Sequence, residues 1–229
     1  MSNAVVEIRD LAFAWPGQDA VLDLPTLRIE RGERVFIKGP SGCGKSTLLG
    51  LLAGIQTANH GTLEVLGQPL AQLSGRGRDH FRAANLGYIF QQFNLLPFLS
   101  VLDNVTSALT FSPAKRARLR QSPTEEARRL LAELQLPNEA WQRPVHALSI
   151  GQQQRVAAAR ALIGSPPLVI ADEPTSALDT DNRAAFIKLL FAECERQGST
   201  LIFVSHDPYL EPLFARVENL QQLNRRATC

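Results

Sequence analysis

Gly39-Pro40-Ser41-Gly42-Cys43-Gly44-Lys45-Ser46-Thr47 is the stretch that determines which fold the chain can adopt. It fits the pattern G-x-x-x-x-G-K-[ST], between a β-rich run at 35–37 and a helical pattern at 45–53. Glycines let successive backbone N–H groups close around phosphate oxygens, and the following helix offers its positive end to the anion. The alternative is a Gly-rich turn that only caps a helix, but the complete motif in this context favours a phosphate site.

Two side chains of this loop have separate predicted roles. Lys45 is predicted to reach the β- and γ-phosphates as a point charge, and the hydroxyl of Ser46 suits Mg²⁺. ATP and Mg²⁺ are therefore the expected cofactors. The predicted nucleotide-binding residues of the loop are Gly39, Pro40, Ser41, Gly42, Cys43, Gly44, Lys45, Ser46 and Thr47.

Strand-like and helical patterns alternate along the chain, which predicts an α/β fold with a mostly parallel sheet. The first thirty residues alternate like two strands and predict an N-terminal antiparallel β region. Between about 95 and 160 helix signals dominate, and the clearest is the capping sequence at 122–125. We expect one domain over 1–229, with an α/β core at 1–94 and 161–229 and an inserted helical subdomain at 95–160.

Two adjacent carboxylates follow the apolar run at 168–171. A strand that ends in this way delivers Asp172 and Glu173 to the carboxyl edge of the sheet, where ligands bind in open α/β folds. Asp172 is predicted to hold Mg²⁺, mostly through water, and Glu173 to act as general base on the attacking water. By itself such a run is usually a strand that enters a solvated loop, but the phosphate loop in the same chain favours a catalytic and metal-binding role for the two carboxylates.

The run Leu148-Ser149-Ile150-Gly151-Gln152 precedes a helical pattern and resembles the LSGGQ signature of the ABC-transporter ATPase family. The resemblance covers nearly the whole chain and implies a P-loop NTPase core. It implies that Ser149, Gly151 and Gln152 contact the ATP of a second subunit. Further motifs agree with the family in order and spacing. The resemblance implies that Gln91 is the Q-loop glutamine and a Mg²⁺ ligand and that Asp179 is the D-loop aspartate. It also implies that His206 is the switch histidine and that Trp15 is the aromatic residue that stacks on adenine.

Alternatives remain for some of these positions. Phe13 competes with Trp15 for the stacking role, and Gln92 competes with Gln91. Ile150 stands where the family usually has a glycine, so either this position has negative φ and tolerates a side chain or the site is impaired; we expect tolerance. The basic residues Lys115, Arg116, Arg118 and Arg120 are predicted to form a solvated helix face.

Composition excludes several classes of protein. The chain has 45% hydrophobic and 20% charged residues and a net charge of +2, so it lacks the excess of positive charge typical of nucleic-acid binding. Its longest apolar run is far shorter than the roughly 20 residues that cross a bilayer, and Glu7 and Asp10 interrupt any signal peptide. Three cysteines at unpatterned spacing suit a reducing cytoplasm.

The resemblance implies an ATP-hydrolysing subunit that drives a separate integral-membrane permease from the cytoplasmic face of the inner membrane, as a head-to-tail homodimer. The segment 82–105 looks like the lipoprotein-releasing and macrolide-exporting subfamily, whereas Ser176-Ala177-Leu178-Asp179 looks more like importer ATPases. A cell-division ATPase that regulates a membrane partner without transport is the other alternative. A translation or nucleic-acid ATPase fits less well, because the coiled coils or basic extensions of those relatives are absent from the sequence.

Lys45→Ala should remove most nucleotide affinity, because no other cation of the motif replaces its charge on the phosphates. Equilibrium binding of ATP to the purified variant measures this. ATP binding at wild-type strength would contradict the phosphate-loop assignment.

Overall fold

The computed structural model describes residues 3–176 and 180–226, without the side chains of 180–182. The chain divides into two compact units, one from residues 1–82 with 200–229 and one from residues 83–199. The finer division into a core and a helical subdomain at 95–160 stays a prediction. Within the described ranges, none of the helices combines the length and hydropathy that a membrane-spanning helix needs.

Strands and helices alternate as the sequence predicts. The strands are β1 (Ala4–Ala14), β2 (Ala20–Glu30), β3 (Arg34–Lys38), β4 (His60–Val65), β5 (Gln68–Pro69), β6 (Leu86–Ile89), β7 (Leu168–Asp172), β8 (Thr200–Val204) and β9 (Arg216–Asn219). The α-helices are α1 (Lys45–Leu52), α2 (Gly75–Asn85), α3 (Val101–Ser107), α4 (Pro113–Ala117), α5 (Pro123–Glu133), α6 (Ile150–Leu162), α7 (Thr180–Gln197) and α8 (Leu220–Leu223).

The first unit contains an antiparallel and a parallel group of strands. The antiparallel strands lie in the order β2-β1-β4-β5, and Ile8 of β1 pairs with Leu27 of β2 and with Leu63 of β4. All three side chains are buried, which is the outcome expected of period-two alternation. In the parallel group β3 lies between β8 and β9. The predicted α/β class with an N-terminal antiparallel region is confirmed.

Helix α1 begins directly after the phosphate loop and buries a run of leucines. Its buried residues are Leu48, Leu49, Gly50, Leu51 and Leu52, so the helix is anchored along its whole C-terminal half. Gly54 follows in the left-handed conformation with φ 66°, which is why the helical pattern stops there. The burial fixes the direction in which the N-terminus of α1 points.

The second unit combines one parallel strand pair, β6 and β7, with helices α3 to α7. Helix α5 begins with the predicted capping box, in which Ser122 accepts from the amide of Glu125 and the carboxylate of Glu125 accepts from the amide of Ser122. Its apolar stripe, predicted from i, i+3, i+4 and i+7 spacing, is buried at Ala127, Leu130, Leu131 and Leu134. Local capping and periodicity therefore predict this helix correctly.

The prediction of a solvated basic face is wrong for Lys115. Its side chain is buried, and Nζ donates a hydrogen bond to the carbonyl oxygen of Leu86 at 2.7 Å. Gly164 makes room for it, since a Cβ added at Gly164 would lie 2.6 Å from Cβ of Lys115. Burial, and secondarily the charge of Arg118, lowers the pKa of Lys115 to about 8.

A buried carboxylate links α5 to α7. Glu193 is 3% exposed; Oε1 lies 2.8 Å from the terminal nitrogen Nη2 of Arg129, and its carboxylate also accepts from Arg196 and Gln197. Burial by itself raises the pKa of Glu193, but the hydrogen bonds from Arg196 and Arg129 outweigh it and bring the pKa to about 2. The ionised carboxylate therefore stabilises the packing of these two helices.

Glu193→Gln should lower the free energy of unfolding at pH 7 by about 3 kcal/mol, because it removes one partner of a buried charge network. The pKa of Glu193 is depressed in the folded state, so its contribution is complete above about pH 4.5 and is lost as the pH falls towards 2. Denaturant unfolding between pH 7 and pH 3 should show the variant and the wild type converging in acid. Glu133→Gln, at an exposed position of α5, is the control; equal effects of both substitutions would contradict this role.

Candidate functional site

The backbone of the phosphate loop uses conformations that glycine allows. Gly42 has φ 86° and Gly44 has φ 97°, in the left-handed region that other residues rarely adopt. Gly44 is also packed closely, since an added Cβ would lie 2.6 Å from Cδ2 of Leu22 on β2. The loop therefore depends on glycine both for its turn and for its approach to the antiparallel sheet.

The N-terminus of α1 is open to an anion. Gly44 is the N-cap residue; in the described structure no side chain caps this end, and the first turn contains no acidic residue. Its free N–H groups, together with the helix dipole, favour a negatively charged ligand. Lys45 Nζ donates to the carbonyl oxygens of Gly39 at 2.7 Å and Pro40 at 2.9 Å, which holds its charge over the loop.

His206 lies at the same sheet edge as the phosphate loop. It follows β8, and Val204 of β8 pairs in parallel with Ile37 of β3, two residues before Gly39. The amide of Ser205 donates to the carbonyl oxygen of Ile37 at 3.3 Å, which extends the pairing towards the loop. The first unit thus brings an exposed histidine and the phosphate loop to one edge.

The two aromatic candidates for adenine stacking differ in exposure. Phe13 is 5% exposed, whereas Trp15, just after β1, is 38% exposed. Their rings meet edge to face, with centroids 5.0 Å apart and planes at 87°. The burial of Phe13 leaves Trp15 as the ring that can offer a face to a base, and its role stays a prediction.

The second unit brings together the predicted catalytic glutamine and carboxylates. Ile89 of β6 pairs in parallel with Ala171 of β7, so Gln91, just after β6, lies at the same edge as Asp172, the last residue of β7, and Glu173. Gln91 and Gln92 are both exposed, and Gln91 stays the predicted Q-loop residue. These side chains offer amide and carboxylate oxygens, which are hard ligands of the kind that Mg²⁺ prefers. The hydroxyl oxygen of Ser46, in the first unit, is a ligand of the same kind.

Tyr88 is a contact of Asp172 that sequence reasoning missed. It pairs with Ile170, so it faces the same side of the sheet as Asp172 two residues later. Its phenol hydrogen-bonds the Asp172 carboxylate; burial foremost, with the charge of Asp172 and this hydrogen bond, raises the pKa of Tyr88. The ring stacks on Phe90 at a centroid distance of 4.3 Å. The sequence offered no signal for this contact, because the register of β6 against β7 is set by the fold.

Glu173 has an unusual backbone conformation. Its φ is 47°, a value that costs energy for any residue with a side chain and that clusters at functional sites. The amide of Ser176 donates to the carbonyl oxygen of Glu173 at 3.2 Å and closes a turn that redirects the chain after β7. The turn sets the direction of the half-buried carboxylate, which suits a positioned base.

The signature residues form the N-terminus of α6. Ser149 is the N-cap; its hydroxyl accepts from the amide of Gln152 at 3.3 Å, and the side-chain oxygen of Gln152 accepts from the amide of Ser149 at 3.0 Å. Ile150 is the first residue of the helix, 53% exposed, so the expected negative φ and tolerance of a side chain follow from its helical backbone. Gly151 follows within the first turn. Asp179 lies outside the described residues.

A family model described as "ABC transporter" matches residues 22–176, which include the phosphate loop, the signature and both carboxylates. The chain belongs to the ABC transporter family. It is therefore an ATPase of the ATP-binding cassette type, and the predicted enzyme class is confirmed.

Known relatives agree with this assignment. The lipoprotein-releasing system ATP-binding protein LolD of Porphyromonas gingivalis is 37% identical over 90% of this chain and 91% of its own length. The macrolide export ATP-binding/permease protein MacB of Photorhabdus laumondii is 38% identical over 94% of this chain, which spans only 33% of that protein. The predicted resemblance to lipoprotein-releasing and macrolide-export ATPases is confirmed.

Solved structures show the same fold. A dimeric structure of MJ0796, described as a bacterial ABC transporter cassette, superposes with a TM-score of 0.82 at 31% identity over 93% of each chain. A second dimeric structure of MJ0796, in a post-hydrolysis state bound to ADP and Pi, gives a TM-score of 0.81. The predicted P-loop core with an antiparallel region and a helical insertion is confirmed by this likeness.

Tyr88→Phe should weaken Mg²⁺ binding if Asp172 is a ligand, because the ligand would lose the hydrogen bond that orients it. We expect the Mg²⁺ concentration for half-maximal ATPase activity to rise about tenfold, measured by titrating MgCl₂ at saturating ATP. Tyr209→Phe, at an exposed position, is the matched control. An unchanged Mg²⁺ dependence in Tyr88→Phe would contradict Asp172 as a ligand.

Proposed function

We propose that this chain is the ATP-hydrolysing subunit of a transporter of the lipoprotein-release or efflux type and that it drives a separate membrane permease. The observation that carries the proposal is the 37% identity to a LolD protein over nearly the full length of both chains. MacB joins an ATP-binding part to a permease in one protein, and this chain matches a third of it.

Within this function the loop Gly39–Thr47 binds the phosphates of ATP, and Trp15 stacks on the base. The loop supplies the N–H groups at the start of α1, and Lys45 exchanges the carbonyls of Gly39 and Pro40 for phosphate oxygens. Since those bonds are made to neutral carbonyls, a negatively charged phosphate is a stronger acceptor for the ammonium. This exchange couples nucleotide binding to the shape of the loop.

Ser46, Asp172 and Gln91 are the proposed Mg²⁺ ligands, and their hydroxyl, carboxylate and amide oxygens fit that ion. When bound, Mg²⁺ neutralises charge on the β- and γ-phosphates. Glu173 takes a proton from the attacking water, and His206 donates a hydrogen bond to the γ-phosphate. The support is the placement of Gln91 and Glu173 after neighbouring strands, and of His206 at the phosphate-loop edge.

The proposed active form is a head-to-tail homodimer with ATP between subunits. Ser149 is exposed at the N-terminus of α6, and its hydroxyl, which accepts within the capping box, keeps its own proton for donation to a phosphate. Gly151 and Gln152 stand in the same first turn, and the proposed D-loop residue Asp179 completes the partner's contribution. The dimeric structures of the related MJ0796 support this arrangement.

The permease contact is proposed at the exposed apolar residues that follow the Q-loop. Leu96, Phe98 and Leu99 are exposed, Phe98 at 89%, and such a cluster beside polar surface marks a protein interface. A subunit held there would be peripheral on the cytoplasmic face of the membrane. Co-purification from detergent-solubilised membranes tests the partner's identity: a transport permease supports the proposal, and a cell-division membrane protein or an importer permease would replace it.

Glu173→Gln should keep ATP binding and abolish turnover, because glutamine keeps the shape of the side chain but accepts no proton. We expect hydrolysis to fall by about 10²- to 10⁴-fold. Since each ATP is proposed to join two subunits, the variant should accumulate as a dimer in Mg-ATP, whereas the wild type returns to monomer as it hydrolyses. Gel filtration with Mg-ATP at several protein concentrations, together with phosphate release, measures both effects.

Glu139→Gln removes a carboxylate from an exposed position and is the matched control, which should behave as the wild type does. A Glu173→Gln protein that remains monomeric and hydrolyses ATP at the normal rate would overturn both the catalytic role and the ATP-bridged dimer.

A further inference from the structure

Arg160, in the last turn of α6, holds the loop that carries Gln91. Its two terminal guanidinium nitrogens donate to consecutive carbonyl oxygens, Nη2 to Phe93 and Nη1 to Asn94, both at 2.6 Å. We call this pair of hydrogen bonds the carbonyl clamp. It joins a long buried helix to a segment of backbone that lies two residues beyond the predicted catalytic glutamine.

The loop held by the clamp is strained. Phe93 and Asn94 are consecutive residues with positive φ, 58° and 48°, and neither is a glycine. The amide of Phe93 donates to the carbonyl oxygen of Phe90 at 3.0 Å, so Gln91 lies inside a tight turn. Two successive left-handed residues persist only where surrounding contacts over-determine them. The buried Phe93 ring is one such contact and the carbonyl clamp is another.

The chemistry of arginine suits this task better than that of lysine. A guanidinium presents a planar fork of N–H donors that can bond two neighbouring acceptors at once, whereas an ammonium acts as a point charge. Charged donors make stronger hydrogen bonds than neutral ones, and the partial burial of Arg160 strengthens them further. Burial lowers the pKa of Arg160, yet a guanidinium stays charged at any physiological pH.

Helix α6 has functional residues at both ends. Ser149 caps its start, and Arg160 stands eleven residues later, about 16 Å along the axis at 1.5 Å per residue. Five of the ten residues between them are buried, including the run Val156, Ala157, Ala158 and Ala159 that leads up to Arg160. A helix packed in this way moves as a rigid body, so a displacement at the signature end also displaces the guanidinium.

We infer that Arg160 is a positioning residue: through the carbonyl clamp it fixes the backbone on which Gln91 stands and ties Gln91 to the helix that begins at Ser149. The inference rests on the proposed role of Gln91. It adds a mechanical link, because contact of Ser149 with a nucleotide at one end of α6 sets the position of Gln91 at the other. Gln91 itself is exposed, so the loop backbone is what locates it.

The same helix provides a matched control. Arg155 lies five residues earlier on α6, and one of its terminal nitrogens donates to the carbonyl oxygens of Leu134 at 3.2 Å and Gln135 at 2.8 Å. Gln135 also has positive φ, 56°. Arg155 therefore stabilises a strained turn of the same kind, but that turn follows α5 and carries no predicted catalytic residue.

Hydrogen–deuterium exchange tests the clamp without reference to activity. In Arg160→Gln, exchange should rise about tenfold or more at the amides of residues 91–95, because two charged hydrogen bonds are lost, and should be unchanged at 134–136. Arg155→Gln should show the reverse pattern. Arg160→Lys keeps the positive charge but lacks the planar pair of N–H donors, and it should give an intermediate increase in exchange at 91–95. This variant tests the carbonyl clamp if Arg160→Gln fails to fold. Exchange at 91–95 that does not respond to either Arg160 variant would overturn the inference.

A double-mutant cycle tests whether Arg160 acts through Gln91. Arg160→Gln should lower kcat about tenfold with KM for ATP unchanged, and it should lower kcat no further in a Gln91→Ala background. Multiplicative losses would show that Arg160 acts by another route and would overturn the inference. A wild-type protein without ATPase activity would instead refute the proposed function. The hydrogen–deuterium exchange pattern would still show whether Arg160 holds the loop at residues 91–95.

Discussion

Free backbone N–H groups at the start of α1 are the feature on which the proposed chemistry depends. They must converge on one point, which requires the left-handed turns at Gly42 and Gly44 and the close approach of Gly44 to Leu22. The buried leucines of α1 fix the orientation of the helix, so its uncapped N-terminus keeps one direction. Binding energy for phosphate thus comes from backbone N–H groups that a helix start leaves without intrahelical partners and that no described side chain caps in α1.

Within each unit, parallel pairing determines which side chains lie together at the ends of the strands. Because neighbouring parallel strands end at one edge, the residues just beyond them are neighbours although they are distant in sequence. In the first unit this rule places His206 beside the loop that follows β3; in the second it places Gln91 beside Asp172 and Glu173. The chemistry is carried by the turns after the strands, and the apolar strands act as supports.

The functional turns combine strained backbone with supporting side-chain contacts. Glu173, Phe93 and Asn94 all have positive φ, and each lies within three residues of a predicted catalytic or metal-binding side chain. Tyr88 holds the Asp172 carboxylate, and Arg160 holds the carbonyls of the Gln91 loop. Such supporting residues restrict the freedom of the acting groups, which lowers the cost of reaching a reactive geometry.

The sequence by itself determined the elements that depend on local chemistry. The phosphate loop, the capped start of α5 and its buried stripe follow from glycine conformations, capping and periodicity, all of which act within a few residues. The same locality explains why Ile150 is tolerated in the first turn of α6.

Tertiary structure alone decided the contacts between distant segments. The burial of Lys115 against Gly164, the hydrogen bond from Tyr88 to Asp172 and the reach of Arg160 to Asn94 depend on strand register and helix packing. A single sequence contains no signal for such register, because the polar residue types involved are equally common on solvated surfaces. Their roles become visible only when the fold removes them from water and gives each one a partner, since a buried polar group must be hydrogen-bonded.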